Sequence, residues 1–182
     1  MDTHDEHLIG QEPPLAGTEA EALIGSLNRM RGYLLWKCGG VDPDGLRATL
    51  GPSTMTLGGL LKHLAVVEAT TFAWKLHGRR PFPPFEDADW DDEGWHWRVE
   101  DEDTPASLEA LFRDAAAKGQ ALVDEATAAH GLDGPADVTN DEGQHANVRR
   151  LVLDMIEEYS RHVGHADLIR ESVDGLVGED PE

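Results

Sequence analysis

The sequence predicts an all-α protein: a four-helix bundle with a crossover connection and a long loop between its second and third helices. Three observations predict it. Four stretches place apolar residues at three- and four-residue steps, and three of them close on glycine. No convincing strand pattern appears, although several loops are polar and turn-rich. Residues 77–103 follow neither period, yet they hold three of the five tryptophans.

Taken in order, Thr18 before Glu19 and Glu21 reads as a helix start, and Leu23, Leu27, Met30 and Leu34 recur at helical spacing up to about Cys38. Gly39 and Gly40 stop this first helix. The segment VDPDGLRATLGPST is turn-rich, with one short helical turn expected around Asp44 to Arg47, and it reads as a connector crossing one end of the bundle. A second helix starts near Thr56 and carries Leu57, Leu60, Leu61, Leu64 and Val67 on its apolar face as far as about Leu76. His63 sits inside that face, three residues after Leu60 and four before Val67, so it points the way the core residues point.

The loop HGRRPFPPFEDADWDDEGWHWRVEDED follows. A loop of this length inside one domain is commonly functional, and Trp90, Trp95 and Trp97 argue against simple disorder. It reads equally as a lid or as aromatic cover for one edge of the core. Thr104 and Pro105 then cap a third helix that runs to about His130, and Gly131 and Gly134 close it. A polar loop, DGPADVTNDEGQHAN, leads to the last helix, expected from about Val148 to Val173 with Gly175 just beyond. The expected organisation is a flexible N-terminal arm over residues 1–17, the bundle over 18–175 and an acidic tail over 176–182.

Composition narrows the function. The 182 residues carry 15 Lys plus Arg against 36 Asp plus Glu, a formal net charge of -21, which disfavours a phosphate-backbone partner. The single cysteine, Cys38, excludes an intrachain disulfide framework and a Cys-based zinc knuckle. The opening residues lack the features of a signal peptide and no apolar run is long enough to span a bilayer, so a soluble cytoplasmic protein is expected.

The last helix carries the chemistry. Leu151, Met155, Glu158, His162, His165 and Ile169 follow one another at steps of four, three, four, three and four, so all six share one stripe. The ends of that stripe are apolar and its middle is a carboxylate and two imidazoles. A Glu four residues before a His is also an ordinary helical charge pair, and a lone His on an apolar face is often a core histidine bonded to a carbonyl. In a bundle, however, metal sites are built from inward side chains on facing helices, and His63 is the matching residue on the second helix. His77, His96, His130 and His145 have no comparable context and read as surface residues.

LLKHLAVVE in the second helix, MIEEYSRHVGHADLIRE in the last and YLLWKCGGVD at the end of the first together resemble the DinB-like superfamily of metal-binding four-helix bundles. The likeness covers roughly residues 18–175, and it is to a single-domain, actinobacterial-type branch, mycothiol S-transferase-like. The resemblance implies a crossover bundle with one divalent metal held by three side chains. Residue by residue these are His63, Glu158 and His162, with many relatives carrying His where Glu158 stands. His165 falls where many relatives carry Gln, which leaves it facing substrate or replacing Glu158 as the third ligand. Two imidazoles and a carboxylate suit zinc first, and also nickel, manganese or iron.

The resemblance further implies a transferase that activates a low-molecular-weight thiol such as mycothiol for attack on a small electrophile; in that scheme His165 or Tyr159 is the candidate to donate a proton or orient the substrate. A divalent ion can make a bound thiol a thiolate, which is the nucleophilic form. A non-catalytic metal-binding stress or scaffold bundle, and a metal-dependent hydrolase, are the competing readings of the same ligands. A homodimer is a further expectation, since small bundles commonly pair through an apolar face.

Overall fold

The computed structural model describes residues 12–178, so residues 1–11 of the expected arm and 179–182 of the expected tail lie outside the described residues. The chain is mainly helical. Four long helices make the body: α1 (Glu19–Cys38), α3 (Leu57–Glu68), α4 (Pro105–His130) and α5 (Val148–Asp174), with the short α2 (Pro43–Arg47) between the first two. α1 packs along α5, α3 packs along α4, and α3 also meets α5. No described helix is long and apolar enough to cross a membrane.

The helix ends follow the local chemistry. The Thr18 side chain accepts from the Glu21 amide while Glu21 reaches back to the Thr18 amide at 2.7 Å, which satisfies two otherwise unpaired donors. Asp42, Thr56, Thr104 and Asn147 each cap the helix that follows. α5 stops at Gly175, whose φ of +81° is a left-handed conformation that costs glycine nothing. The buried Arg170 of α5 donates to the carbonyls of Lys37 and Gly39, which closes the C-terminal end of α1.

Two features depart from the sequence expectation. The second helix changes pitch after Glu68, and Ala69–Leu76 continue it as a π-helix. Within it, the Thr70 hydroxyl bonds back to the Val66 carbonyl at 3.0 Å and competes for the regular ladder. The polar loop before α5 is a hairpin, with β1 (Pro135–Thr139) antiparallel to β2 (His145–Asn147). Its strands are short and mostly solvated, so they show no buried face to alternate. The turn carries the signal instead: the Asn140 side chain accepts from the amides of Glu142 and Gln144, and Gly143 takes a φ of +74°.

The core is aliphatic and aromatic. Leu27 and Leu34 of α1, Leu57, Leu60 and Leu64 of α3, Phe112 and Val123 of α4, and Val152 of α5 are fully buried together. Between Leu76 and Pro105 the chain forms only two short 3-10 turns, Phe85–Asp87 and Trp95–Trp97. Its second half lies on α3. A Cβ at Gly59 would stand 2.6 Å from the Trp97 carbonyl oxygen, and one at Gly58 2.8 Å from Val99. Those two glycines let the loop backbone approach the helix closely.

Candidate metal centre

Helical register on α3 and α5 turns three ligand-type side chains toward one another. His63 lies one turn beyond Leu60 on the buried face of α3, and Glu158 and His162 lie one turn apart on the inner stripe of α5. His63 Nε2 stands 3.0 Å from Glu158 Oε1, and His162 Nε2 stands 3.3 Å from the same oxygen. One donor atom from each of the three lies within 4.8 Å of the other two. Both imidazoles are buried, and the carboxylate is partly open to solvent.

Electrostatics match that geometry. Burial pushes His63 down to about 4, against the hydrogen bond to Glu158 that favours its charged form. Burial also lowers His162, with Glu158 opposing the shift. For Glu158, burial acts upward, but the hydrogen bond with His63 and the neighbouring His162 outweigh it and hold the carboxyl below its usual range. At neutral pH the cluster is therefore two neutral imidazoles and one carboxylate. Such a set fits a divalent cation, because imidazole binds metal only when unprotonated. His63 Nδ1 is buried without a hydrogen-bond partner among the described residues.

Aromatic groups wall the cluster. The Trp97 ring lies face to face on His63, with centroids 3.8 Å apart and planes 14° from parallel, and it also meets His162 at 5.4 Å. His96 approaches His63 at 5.2 Å, and Trp95 meets His96 edge-on. His96 therefore does not sit apart on the surface, as its sequence context implied. No periodic pattern runs through residues 77–103, so nothing in the sequence could have placed His96 or Trp97 on this site. The other loop tryptophan, Trp90, remains about half exposed.

The two residues expected to handle protons part company. His165 is half-buried one turn beyond His162, with its Nδ1 3.3 Å from His162 Nδ1. Tyr159 is fully buried, and its hydroxyl donates to Glu68 Oε1 at 2.7 Å. It belongs to a second polar group in the core. There Arg31 donates from Nε and Nη2 to the two Glu68 oxygens, each at 2.7 Å, and from Nη1 to Asn28 and Gln120. A Cβ at Gly119 would fall 2.1 Å from Glu68 Oε2, so α4 needs glycine there to admit the carboxylate. The sequence did carry a signal for this group: Arg31 stands between Leu27 and Leu34, and Glu68 between Leu64 and Phe72, at core spacing.

Other cationic, imidazole and thiol side chains are engaged elsewhere. Arg170 holds the end of α1 and pairs with Asp174, and Arg161 lies 3.7 Å from Glu158 Oε2 at the solvent side. His77 meets the Leu122 carbonyl and His145 the Ala136 carbonyl. Burial pushes the Cys38 thiol up to about 12, which makes it a poor nucleophile.

Compared with known proteins, the chain matches the family described as mycothiol-S-transferase (MST) over residues 22–175. No curated protein matches it.

Proposed function

Because the chain belongs to the mycothiol-S-transferase family, we propose that it is a metal-dependent transferase that activates a low-molecular-weight thiol, mycothiol in the first instance, for attack on a small electrophile. The observation that carries the metal part is the convergence of His63, Glu158 and His162, one carboxylate oxygen serving two imidazole nitrogens from different helices. We further read the four long helices as a DinB-like bundle, with residues 18–175 as its one functional unit, and zinc as the first ion to test. The ion, when held by those three side chains, supplies one thing: it stabilises the thiolate form of a coordinating thiol at neutral pH.

The chain's own residues do the rest. With Nε2 of His162 given over to a ligand position, its proton sits on Nδ1 and is donated to His165 Nδ1, 3.3 Å away. His165 then carries its own proton on Nε2, where it can be delivered to an electrophile as negative charge develops there, and the proton that the thiol releases on becoming a thiolate replaces it. Tyr159 cannot share this role, because its hydroxyl is committed to Glu68 in the core. Trp97 and His96 keep one side of the cluster dry, which strengthens every charge interaction inside it.

The test is incubation of the purified protein with mycothiol and monochlorobimane, with and without a chelator. Adduct formation that needs both thiol and metal is expected. Absence of any thiol-dependent adduct across the physiological thiols, in protein that holds metal, overturns the transferase reading.

A further inference from the structure

A histidine that serves as a metal ligand ordinarily has its second nitrogen fixed by a carboxylate or a carbonyl, and that bond sets how the ring faces the ion. His63 lacks this device. Its Nδ1 is buried and has no hydrogen-bond partner among the described residues. The ring is instead covered by an indole, Trp97, at 3.8 Å and 14° from parallel. We propose that Trp97 is the positioning residue for His63, orienting the ligand ring by stacking where a hydrogen bond would otherwise do so.

A clamp of this kind needs a fixed backbone, and the loop has one. The Trp97 carbonyl lies against Gly59 where no Cβ could stand, and Val99 fills the space over Gly58. Lys62 Nζ donates to the Arg98 carbonyl at 3.0 Å. Arg47 Nη2 donates to the carbonyls of Glu100 and Asp103 at 2.7 and 2.8 Å. Every one of these anchors comes from α2 or from the first two turns of α3, the helix that carries His63. Clamp and ligand are therefore mounted on the same rigid support, and the segment from Trp97 to Asp103 acts as a fixed wall of the site. Offset stacking of flat rings constrains tilt and leaves in-plane rotation free. Glu158 Oε1, 3.0 Å from Nε2, marks the direction in which that nitrogen points, and an ion held between the two would remove that remaining freedom.

This inference rests on the metal reading above, and its test separates the two. Zinc affinity is measured by chelator competition on wild type, Trp97→Leu, Trp97→Phe and Gly59→Ala, with circular dichroism to confirm that each variant is folded. Leucine keeps the apolar cover but cannot stack, so Trp97→Leu should bind zinc on the order of 10- to 100-fold more weakly, the loss typical when a ligand's orienting partner is removed. Trp97→Phe should recover most of that loss. Gly59→Ala, which leaves every site side chain in place but displaces the Trp97 carbonyl, should also weaken zinc. Wild type and Trp97→Leu binding zinc with one affinity overturns the clamp and leaves the metal reading standing. A Trp97→Phe as weak as Trp97→Leu also overturns it, because a ring then restores nothing. Wild type that binds no zinc, nickel, manganese or ferrous iron overturns the metal reading first and the clamp with it.

Discussion

His63 and Glu158, separated by 95 positions in the chain, meet at 3.0 Å between Nε2 and Oε1. The contact joins α3 to α5 through polar atoms at a level flanked by the buried Leu60 and Leu64 of α3 and Met155 and Val163 of α5. Partly burying a carboxylate beside two neutral imidazoles has a desolvation cost that a pair of aliphatic side chains would avoid. A divalent cation held by the three side chains would offset that cost directly.

Metal content follows from this relationship. Wild type should hold about one divalent ion per chain by plasma mass spectrometry, and His63→Ala, Glu158→Ala and His162→Ala should each lose it. Chelation should lower the melting midpoint, because a ligand present at about 100 times its Kd stabilises the folded state by roughly 2.7 kcal/mol. For a chain of this length that is a shift of several degrees. Wild type that purifies metal-free and takes up no zinc, nickel, manganese or iron would sink the assignment.

The Arg31–Glu68–Tyr159 group should behave as structure and not as site. Removing Glu68 leaves the Arg31 guanidinium buried without its counter-charge, so Glu68→Ala should lose about 3–5 kcal/mol in urea unfolding. Tyr159→Phe should lose only about 1–2 kcal/mol, the usual cost of one buried hydrogen bond. Its metal content and its thiol transfer should stay near wild type. A hundredfold loss of transfer in folded, metal-loaded Tyr159→Phe would return the tyrosine to the chemistry.

How much of this was legible in the sequence depends on periodicity. The caps at Thr18 and Thr104 and the stop at Gly175 are local signals, and the helices begin and end where they indicate. His63, Glu158 and His162 were readable because a helix repeats every 3.6 residues, so sequence spacing becomes a direction in space. The same rule accounts for where Tyr159 points. Adjacent helical residues point about 100° apart, so Tyr159 faces Glu68 while Glu158 faces His63. Trp97 and His96 lie on a loop without a period, and contacts made only in the folded chain, the close approach at Gly58 and Gly59 among them, decide where they land. The hairpin was missed because strands with one buried residue, Ala136, leave no alternation to read.

Cys38 gives a pH prediction. Its thiol is buried with Sγ 3.6 Å from the Leu57 carbonyl, and burial raises it from 9.0 to about 12. The folded state thus holds this proton more tightly than the unfolded chain does. Its contribution to stability is complete below about pH 9 and is lost as pH rises from 9 toward 12. Relative to Cys38→Ala, wild type should lose up to about 1.4 kcal/mol per pH unit across that window. Native protein at pH 8 should also resist a thiol reagent that labels the urea-unfolded chain fully. Rapid stoichiometric labelling of the native protein would contradict both expectations.

His165 decides how the site is divided. Glu158 stands within 3.3 Å of both ligand imidazoles, whereas His165 reaches only the far nitrogen of His162. In the proposed site that arrangement favours Glu158 over His165 as the third ligand and assigns the proton to His165. His165→Ala should therefore keep its metal, because none of the three converging donor atoms is removed. Its transfer rate at saturating thiol should fall on the order of 10²-fold, the lower range for loss of a general acid. His165→Gln should be nearly as slow, since an amide can hold the His162 contact but cannot deliver a proton. Metal content and single-turnover rate, taken together on the same preparations, read the two roles separately. Loss of metal in His165→Ala with retention in Glu158→Ala would exchange the roles of the two residues. Retained metal with an unchanged rate would remove His165 from the reaction and require the proton to come from solvent.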